Sequence, residues 1–242
     1  MNRKKTFFSK LIKKIETALP YEIIKALFVC PILSIGNCLV MNLVIIKEKF
    51  YNRTWDMKLG INTRGKYTEK EEASLCADEV KYFPTFYSYL KKMTNHLKMS
   101  DKDIFVDLGC GKGRAIFYVA ATQKVKKIIG VELRGTLVEN AKKNLNNLKL
   151  DKIDKDKIEI LHCDAADFDA REGTIFFMYS PFGWQTLKHV LDNIKKSLET
   201  NPRPVRILFL RASESKVLLD MTDWLVADGE IDKTNIFTWH SK

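Results

Sequence analysis

Apolar and polar positions along residues 104–210 fall into short blocks whose period switches back and forth. Ile104-Phe-Val-Asp-Leu108 is an apolar run holding one acid, and Arg114-Ala-Ile-Phe-Tyr-Val-Ala-Ala121 follows it with helical spacing. Ile128-Ile-Gly-Val-Glu132 is a second run ending in an acid, and Thr136 to Leu148 puts Leu137, Ala141 and Leu145 on one helical face. Ile158-Glu-Ile-Leu-His-Cys-Asp164-Ala165 reads as a third strand and Thr174-Ile-Phe-Phe-Met-Tyr179 as a fourth. Gln185–Leu198 is an amphipathic helix, Pro204–Leu210 a fifth strand and Lys216–Trp224 a further helix. Leu225–Ile231 and Asn235–His240 read as a terminal hairpin across Asp232-Lys233. Strands alternating with helices predict βαβ units, hence an α/β fold around a mostly parallel sheet.

The chemistry concentrates where the first run breaks. After Asp107 come Gly109, Gly111 and Gly113, a G-x-G-x-G turn rather than the G-x-G-x-x-G of dinucleotide sites. Glycines permit positive φ and let a ligand approach the backbone with no Cβ in the way. The helix that follows points its N-terminus at the same place. Glu132 lies about 20 residues further on, the interval at which such folds set a carboxylate on ribose hydroxyls. Asp107, Glu132 and Asp164 all fall at strand C-terminal ends, the edge where open α/β sheets bind ligands. Taken singly, each acid is better read as a solvated loop carboxylate; it is their matched positions together that point to a site.

Val106-Asp-Leu-Gly-Cys-Gly-Lys-Gly113 resembles the first motif of the class I S-adenosylmethionine (SAM)-dependent methyltransferases, and the resemblance runs from about Tyr82 to the C-terminus. It implies α/β architecture with a Rossmann-like seven-stranded, mostly parallel sheet and helices on both faces. It also implies SAM as cofactor and methyl transfer as the reaction. Gly109, Gly111 and Gly113 would shape the loop around the methionine end, and Asp107 would hold that loop and a ligand water or amino group. Glu132 would accept from the ribose hydroxyls, and Asp164 with the backbone of Ala165 would read the adenine amino group. Ser180-Pro181-Phe182 takes the place of the Asn/Asp-Pro-Pro-Tyr/Phe motif, with Ser180 departing from the usual amide or acid. Tyr82-Phe-Pro84-Thr85 resembles a segment closing over the SAM carboxylate, while reading equally as a helix N-terminus. Trp55-Asp-Met-Lys-Leu-Gly60-Ile-Asn-Thr63-Arg-Gly65 resembles a D-x-x-x-G-(V/I)-x-T-x-G run of bacterial members, a branch distantly similar to non-SET histone-lysine methyltransferases.

These resemblances make Thr85, Asp107, Gly109, Gly111, Gly113, Glu132, Asp164 and Ala165 the expected cofactor residues. Tyr82, Tyr179, Ser180, Pro181 and Phe182 are the expected substrate pocket, with no catalytic acid or base assigned. A protein side-chain nitrogen, lysine first, is the expected acceptor. Small molecules or lipids, RNA, and SAM binding without turnover remain as alternatives. A nicotinamide-dependent oxidoreductase is disfavoured by the glycine spacing and by Asp164-Ala165.

The N-terminal region changes the picture again. Ala26 to Ile46 carries no charged side chain, about the 20 residues that suffice to cross a bilayer. Ahead of it, Phe8, Leu11, Ile12, Ile15 and Leu19 form an apolar stripe, with Lys10, Lys13 and Lys14 largely elsewhere, suiting an anionic membrane surface. No clean small-residue cleavage site follows, so a secretory signal is not expected. Residues 1–46 are therefore expected to meet a membrane surface on its cytoplasmic side, as a helix broken at Pro31 or Gly36-Asn37. Two helices packed as a lid or dimer surface form the alternative. Domains are expected at 1–50 (basic, apolar extension), 51–98 (linker and cap over the cofactor) and 99–242 (SAM-binding domain). The net charge of +11 owes much to the first 14 residues, and no nucleic-acid module is recognisable. The five cysteines show neither disulfide-framework nor zinc spacing, so no metal is expected, and Cys110 reads as a small buried side chain.

Overall fold

The computed structural model describes residues 34–65, 82–149, 153–179, 182–210, 219–220, 222–231 and 236–242. The chain divides into two units, residues 1–50 and 51–242. Helix α1 (Ser34–Leu59) is continuous for 26 residues, so Gly36-Asn37 does not break it. In the first unit its residues Leu43, Val44, Ile45, Ile46 and Phe50 are exposed. Among the described residues no helix is long and apolar enough to cross a membrane. The amphipathic stripe from Phe8 to Leu19 and the part of the apolar run before Ser34, with Pro31, lie outside the described residues.

The second unit is built on a seven-stranded sheet. In chain order its elements are α2 (Tyr87–Leu97), β1 (Ile104–Leu108), α3 (Arg114–Thr122), β2 (Lys127–Glu132) and α4 (Gly135–Asn147). They continue as β3 (Ile158–His162), β4 (Ile175–Tyr179), α5 (Trp184–Thr200), β5 (Arg206–Leu210), β6 (Leu225–Glu230) and β7 (Ile236–Ser241). The strand order is β3-β2-β1-β4-β5-β7-β6. The first five strands run parallel, and the β6–β7 hairpin adds antiparallel with β7 against β5. The sheet is thus mixed but mostly parallel, with its order reversing at β1 and β4.

All five residues of β1 are buried, as expected for a strand covered on both faces. Alternate side chains then sort to opposite sides. Phe105, Ile128 and Phe177 join one core with Leu59, Leu90 and Met93, together with Ile116 and Phe117 of α3 and Ala141 of α4. Val106, Ile129, Phe176 and Ile207 join a second core with Leu187, Leu191 and Ile194 of α5 and Trp239 of β7. The helix expected after Pro84 starts with Phe86 as its extended N-cap, with no side-chain cap. Strand β3 ends at His162 instead of continuing to Ala165. The Asp164 carboxylate accepts from the Ala166 N–H at 2.9 Å, and the Asp167 N–H bonds the Asp164 carbonyl at 3.1 Å, a local turn that diverts the chain from the ladder. Of the expected Lys216–Trp224 helix, residues 216–218 and 221 lie outside the described residues.

Candidate active site

Strand register assembles the site. Parallel pairing sets Asp107 opposite Gly130, and Glu132 stands two residues further along β2 on the same face. The missing side chain at Gly130 makes room for the loop: a Cβ there would sit 2.8 Å from the Cys110 sulfur. Cys110 is buried, as its position in the loop implied.

The loop is fastened to the end of β2 by its own backbone. The N–H groups of Gly109 and Cys110 both donate to the Val131 carbonyl at 2.9 Å, and that of Gly113 to the Cys110 carbonyl at 2.9 Å. The Gly111 N–H donates to Oε2 of Glu132 at 2.8 Å, while Oε1 accepts from the Arg134 N–H at 2.9 Å. Gly109, Gly111 and Gly113 take φ of 86°, 56° and 88°, in the left-handed region that favours glycine. The carboxylate that holds the loop is therefore Glu132, not Asp107 as expected from sequence.

Asp107 has a different character. Its side chain is buried, with the residue only 4% exposed, and no hydrogen-bond donor among the described residues reaches its carboxylate. Burial, and then the charge of Glu132, push its pKa up to about 8. No side-chain oxygen sealed from solvent lacks a partner among the described residues, so the Asp107 oxygens keep an opening. A buried acid without a donor is expensive, and a cationic ligand would relieve it.

A second set of residues closes on the loop from upstream. The Tyr82 hydroxyl donates to the Thr63 carbonyl at 2.7 Å, and its ring lies against Gly111. Lys112 donates to the Arg64 carbonyl at 2.9 Å, and its ammonium stands 5.2 Å from the Tyr82 ring centroid. The Asn144 amide donates to the carbonyls of Asn62 (3.2 Å) and Lys112 (3.0 Å). Thr85 is buried, its carbonyl accepts from Arg114 at 3.1 Å, and no partner among the described residues meets its hydroxyl. In the sequence Arg114 is simply the start of a helix, and nothing local marks it as part of a site.

At the mouth, Tyr179 ends β4, and the exposed Phe83 stands edge-on to it with ring centroids 6.2 Å apart. Phe83 also meets Phe86 at 5.7 Å. The sequence leads one to expect Tyr82 in this wall; the structure turns Tyr82 onto the glycine loop and leaves Phe83 as the exposed ring. Their adjacency in sequence gives no sign of which one faces outward. Phe182 is half-buried against the second core, whereas Ser180 and Pro181 lie outside the described residues. Beyond β2, Leu133 is 44% exposed and its carbonyl meets Nε2 of His162 at 2.9 Å. Ala165 is buried and Asp164 half-buried in the turn after β3.

The donor set discriminates among ligands. A pyrophosphate needs free backbone N–H groups at the loop and helix N-terminus. Here the N–H groups of residues 109, 110, 111 and 113 are engaged inside the protein, and two buried acids adjoin them. With those donors taken and two acids beside them, the site suits a cation with hydroxyls and an amine better than a phosphate. SAM, carrying a sulfonium, an α-ammonium, a ribose and an adenine, fits that description. Among the described residues no cluster of His, Cys, Asp and Glu could hold a metal ion.

Comparison with known proteins agrees with this geometry. Residues 75–168 match the family described as "Histone methylation protein DOT1". The chain is 30% identical over 125 residues to a protein-lysine N-methyltransferase of Saccharolobus islandicus, covering 52% of this chain and 71% of that protein. It is 32% identical over 104 residues to a histone-lysine N-methyltransferase, H3 lysine-79 specific, of Dictyostelium discoideum, covering 39% of this chain but 6% of that protein. Among solved structures, the human methyltransferase 10 domain containing protein superimposes with a TM-score of 0.51 at 11% identity, covering 81% of this chain and 95% of that one, a likeness of fold. With its glycine loop, its paired acids and a relative matched over more than two thirds of that relative's length, the chain belongs to the DOT1 family of class I SAM-dependent methyltransferases.

Proposed function

We propose that the protein transfers the SAM methyl group to the ε-amino nitrogen of lysine side chains in a protein substrate. The observation that carries this reading is the match to the protein-lysine N-methyltransferase of Saccharolobus islandicus over 125 residues. SAM supplies a methyl group already activated by its sulfonium. What remains for the protein is alignment, exclusion of water and delivery of a neutral amine. Asp107 faces the cationic end of SAM, Glu132 the ribose hydroxyls, and Asp164 with Ala165 the adenine. Thr85 and Tyr82 close the methionine end, and residues 51–98 act as the cap. Phe83 and Tyr179 line the approach, where aromatic faces favour an alkylammonium by cation–π attraction.

The test is incubation with methyl-labelled SAM and an unmethylated cell extract, split into protein, RNA and lipid fractions, with amino-acid analysis of the labelled protein. Methyllysine is the expected product. Label confined to RNA or to solvent-extractable material overturns the reading.

We also propose that residues 1–46 lie on the cytosolic face of a membrane. Support comes from the lysine-rich apolar stripe and from the exposed Leu43, Val44, Ile45 and Ile46. Full-length protein should float with anionic lipid vesicles; recovery wholly in the unbound fraction would refute this.

A further inference from the structure

Arg114 is an odd residue for its place. It is a cation with 4% exposure at the first position of α3, where the helix dipole disfavours positive charge. Such a group is retained in a core only with several partners, and Arg114 has them on three separate segments. Its Nε donates to the Thr63 hydroxyl at 2.7 Å and its Nη1 to the Thr85 carbonyl at 3.1 Å. Its Nη2 faces the buried Asp56 carboxylate at 3.6 Å, and its guanidinium lies 4.9 Å from the Tyr87 ring centroid. Asp56 is itself shared: it accepts from the Thr63 hydroxyl at 2.8 Å and from the Tyr87 hydroxyl at 2.8 Å. Burial, then the charge of Asp56, hold the Tyr87 phenol far above its ordinary pKa, so it serves as a donor.

Thr63 completes the circuit. Its hydroxyl binds both Arg114 and Asp56, and its carbonyl accepts from Tyr82, whose ring rests on Gly111. One planar guanidinium thus sets the spacing between the end of α1, the segment after it, the Tyr82–Phe86 segment and the glycine-loop helix. Thr85, which Arg114 holds by its carbonyl, is a buried residue whose hydroxyl meets no partner among the described residues. An unpartnered hydroxyl on a buried residue, held through its carbonyl by the first residue of α3, is an independent sign that a ligand belongs there.

We infer that Arg114 and Thr63 are positioning residues for SAM: they touch no reacting atom but hold Tyr82 against Gly111 and present Thr85 to the cofactor. Asp56 is the counter-charge that lets Arg114 remain in the core. Replacing a buried ion pair by apolar groups is often neutral for stability, so stability alone does not account for a guanidinium held on three segments. The role is therefore one of placement, and the lysine reading of the acceptor does not enter it.

The experiment measures the SAM dissociation constant by calorimetry, with melting temperatures, for Thr63→Val, Thr63→Ser, Arg114→Lys and the Thr63→Val/Arg114→Lys pair. Binding is read well below each melting temperature, so a variant that is only less stable still binds. Thr63→Val keeps the shape but removes the hydroxyl; it and Arg114→Lys should each weaken SAM tenfold or more. Thr63→Ser should stay within threefold of the parent. The pair should bind no worse than threefold below the weaker single variant, because both act through one junction. Variants that melt lower yet bind SAM within threefold of the parent would overturn the inference, as would additive losses in the pair. Should Thr63→Val fail to fold, Tyr82→Phe removes only the bond to the Thr63 carbonyl and should weaken SAM at least threefold; unchanged binding would again overturn it. Failure of the unmodified protein to bind SAM would overturn the cofactor placement itself. Failure to methylate lysine leaves this inference intact.

Discussion

Tyr82 lies so close to Gly111 that a Cβ on the glycine would sit 2.4 Å from the tyrosine Cε2. The upstream segment and the glycine loop, 29 positions apart in the chain, are therefore fitted to each other with no room for a methyl group.

Gly111→Ala should lose at least tenfold in SAM affinity while staying folded. The added methyl displaces the Tyr82 ring, and the φ of 56° costs a non-glycine residue about 1 kcal/mol. Combining it with Tyr82→Ala should restore part of the melting temperature, since the clash is relieved, but not SAM binding. Calorimetry and thermal melts on the three variants check this.

Asp107 makes stability and binding depend on pH in opposite senses. Its pKa is raised to about 8 in the fold against 3.8 unfolded, so the native state holds the proton more tightly. The associated stability is fully present below about pH 4 and is lost as pH rises toward about 8. Asp107→Asn should melt higher than the parent at pH 8 to 8.5, with the gap closing near pH 4. SAM affinity of the parent should increase from pH 6.5 to 8 as the carboxylate ionises to meet a cation. Asp107→Asn should bind at least tenfold more weakly with that trend flattened; a variant with the parental trend contradicts the assignment.

Glu132 joins the two observations. Removing it with Glu132→Ala leaves the N–H groups of Gly111 and Arg134 without their carboxylate, at about 1–3 kcal/mol each. Glu132→Gln keeps an acceptor oxygen and should cost less. Burial still raises the Asp107 pKa in this variant, but the added push from the Glu132 charge is gone, so the pH midpoint of SAM binding should move down in part. Thermal melts separate the two variants, and a pH series of dissociation constants tests the coupling.

Gly130→Ala places a methyl 2.8 Å from the Cys110 sulfur and 3.0 Å from Ile116 Cδ1. Overpacking of this kind costs about 1–3 kcal/mol. Adding Cys110→Ala removes the closer obstacle and should recover much of the loss, a coupling that denaturant titration of the single and double variants would measure.

The fold was legible because its elements are written locally. Runs such as Ile175–Tyr179 are apolar throughout and bounded by turn residues, and helices such as Gln185–Leu198 bury one regular face. The three alternating glycines announce a tight turn, since only positive φ satisfies it. The division of labour between the two acids was not legible. Asp107 and Glu132 look alike in sequence, each an acid ending an apolar run. Register alone puts Gly130 beside Asp107 and brings the Glu132 oxygen to the Gly111 N–H.

Arg114 shows the same divide most clearly. The helix it begins follows from residues 114–121, whose periodicity is local. That its guanidinium joins Asp56, Thr63 and Thr85 depends on contacts spanning 29 to 58 residues, which exist only once the chain has closed on itself. The glycines, the strand-ending acids and the helical faces belong to the sequence, because each is set by neighbouring residues and the backbone's own geometry. Which acid holds the loop, which aromatic ring faces outward and where a buried cation finds its partners belong to the tertiary structure, because they depend on desolvation and on groups far apart in the chain.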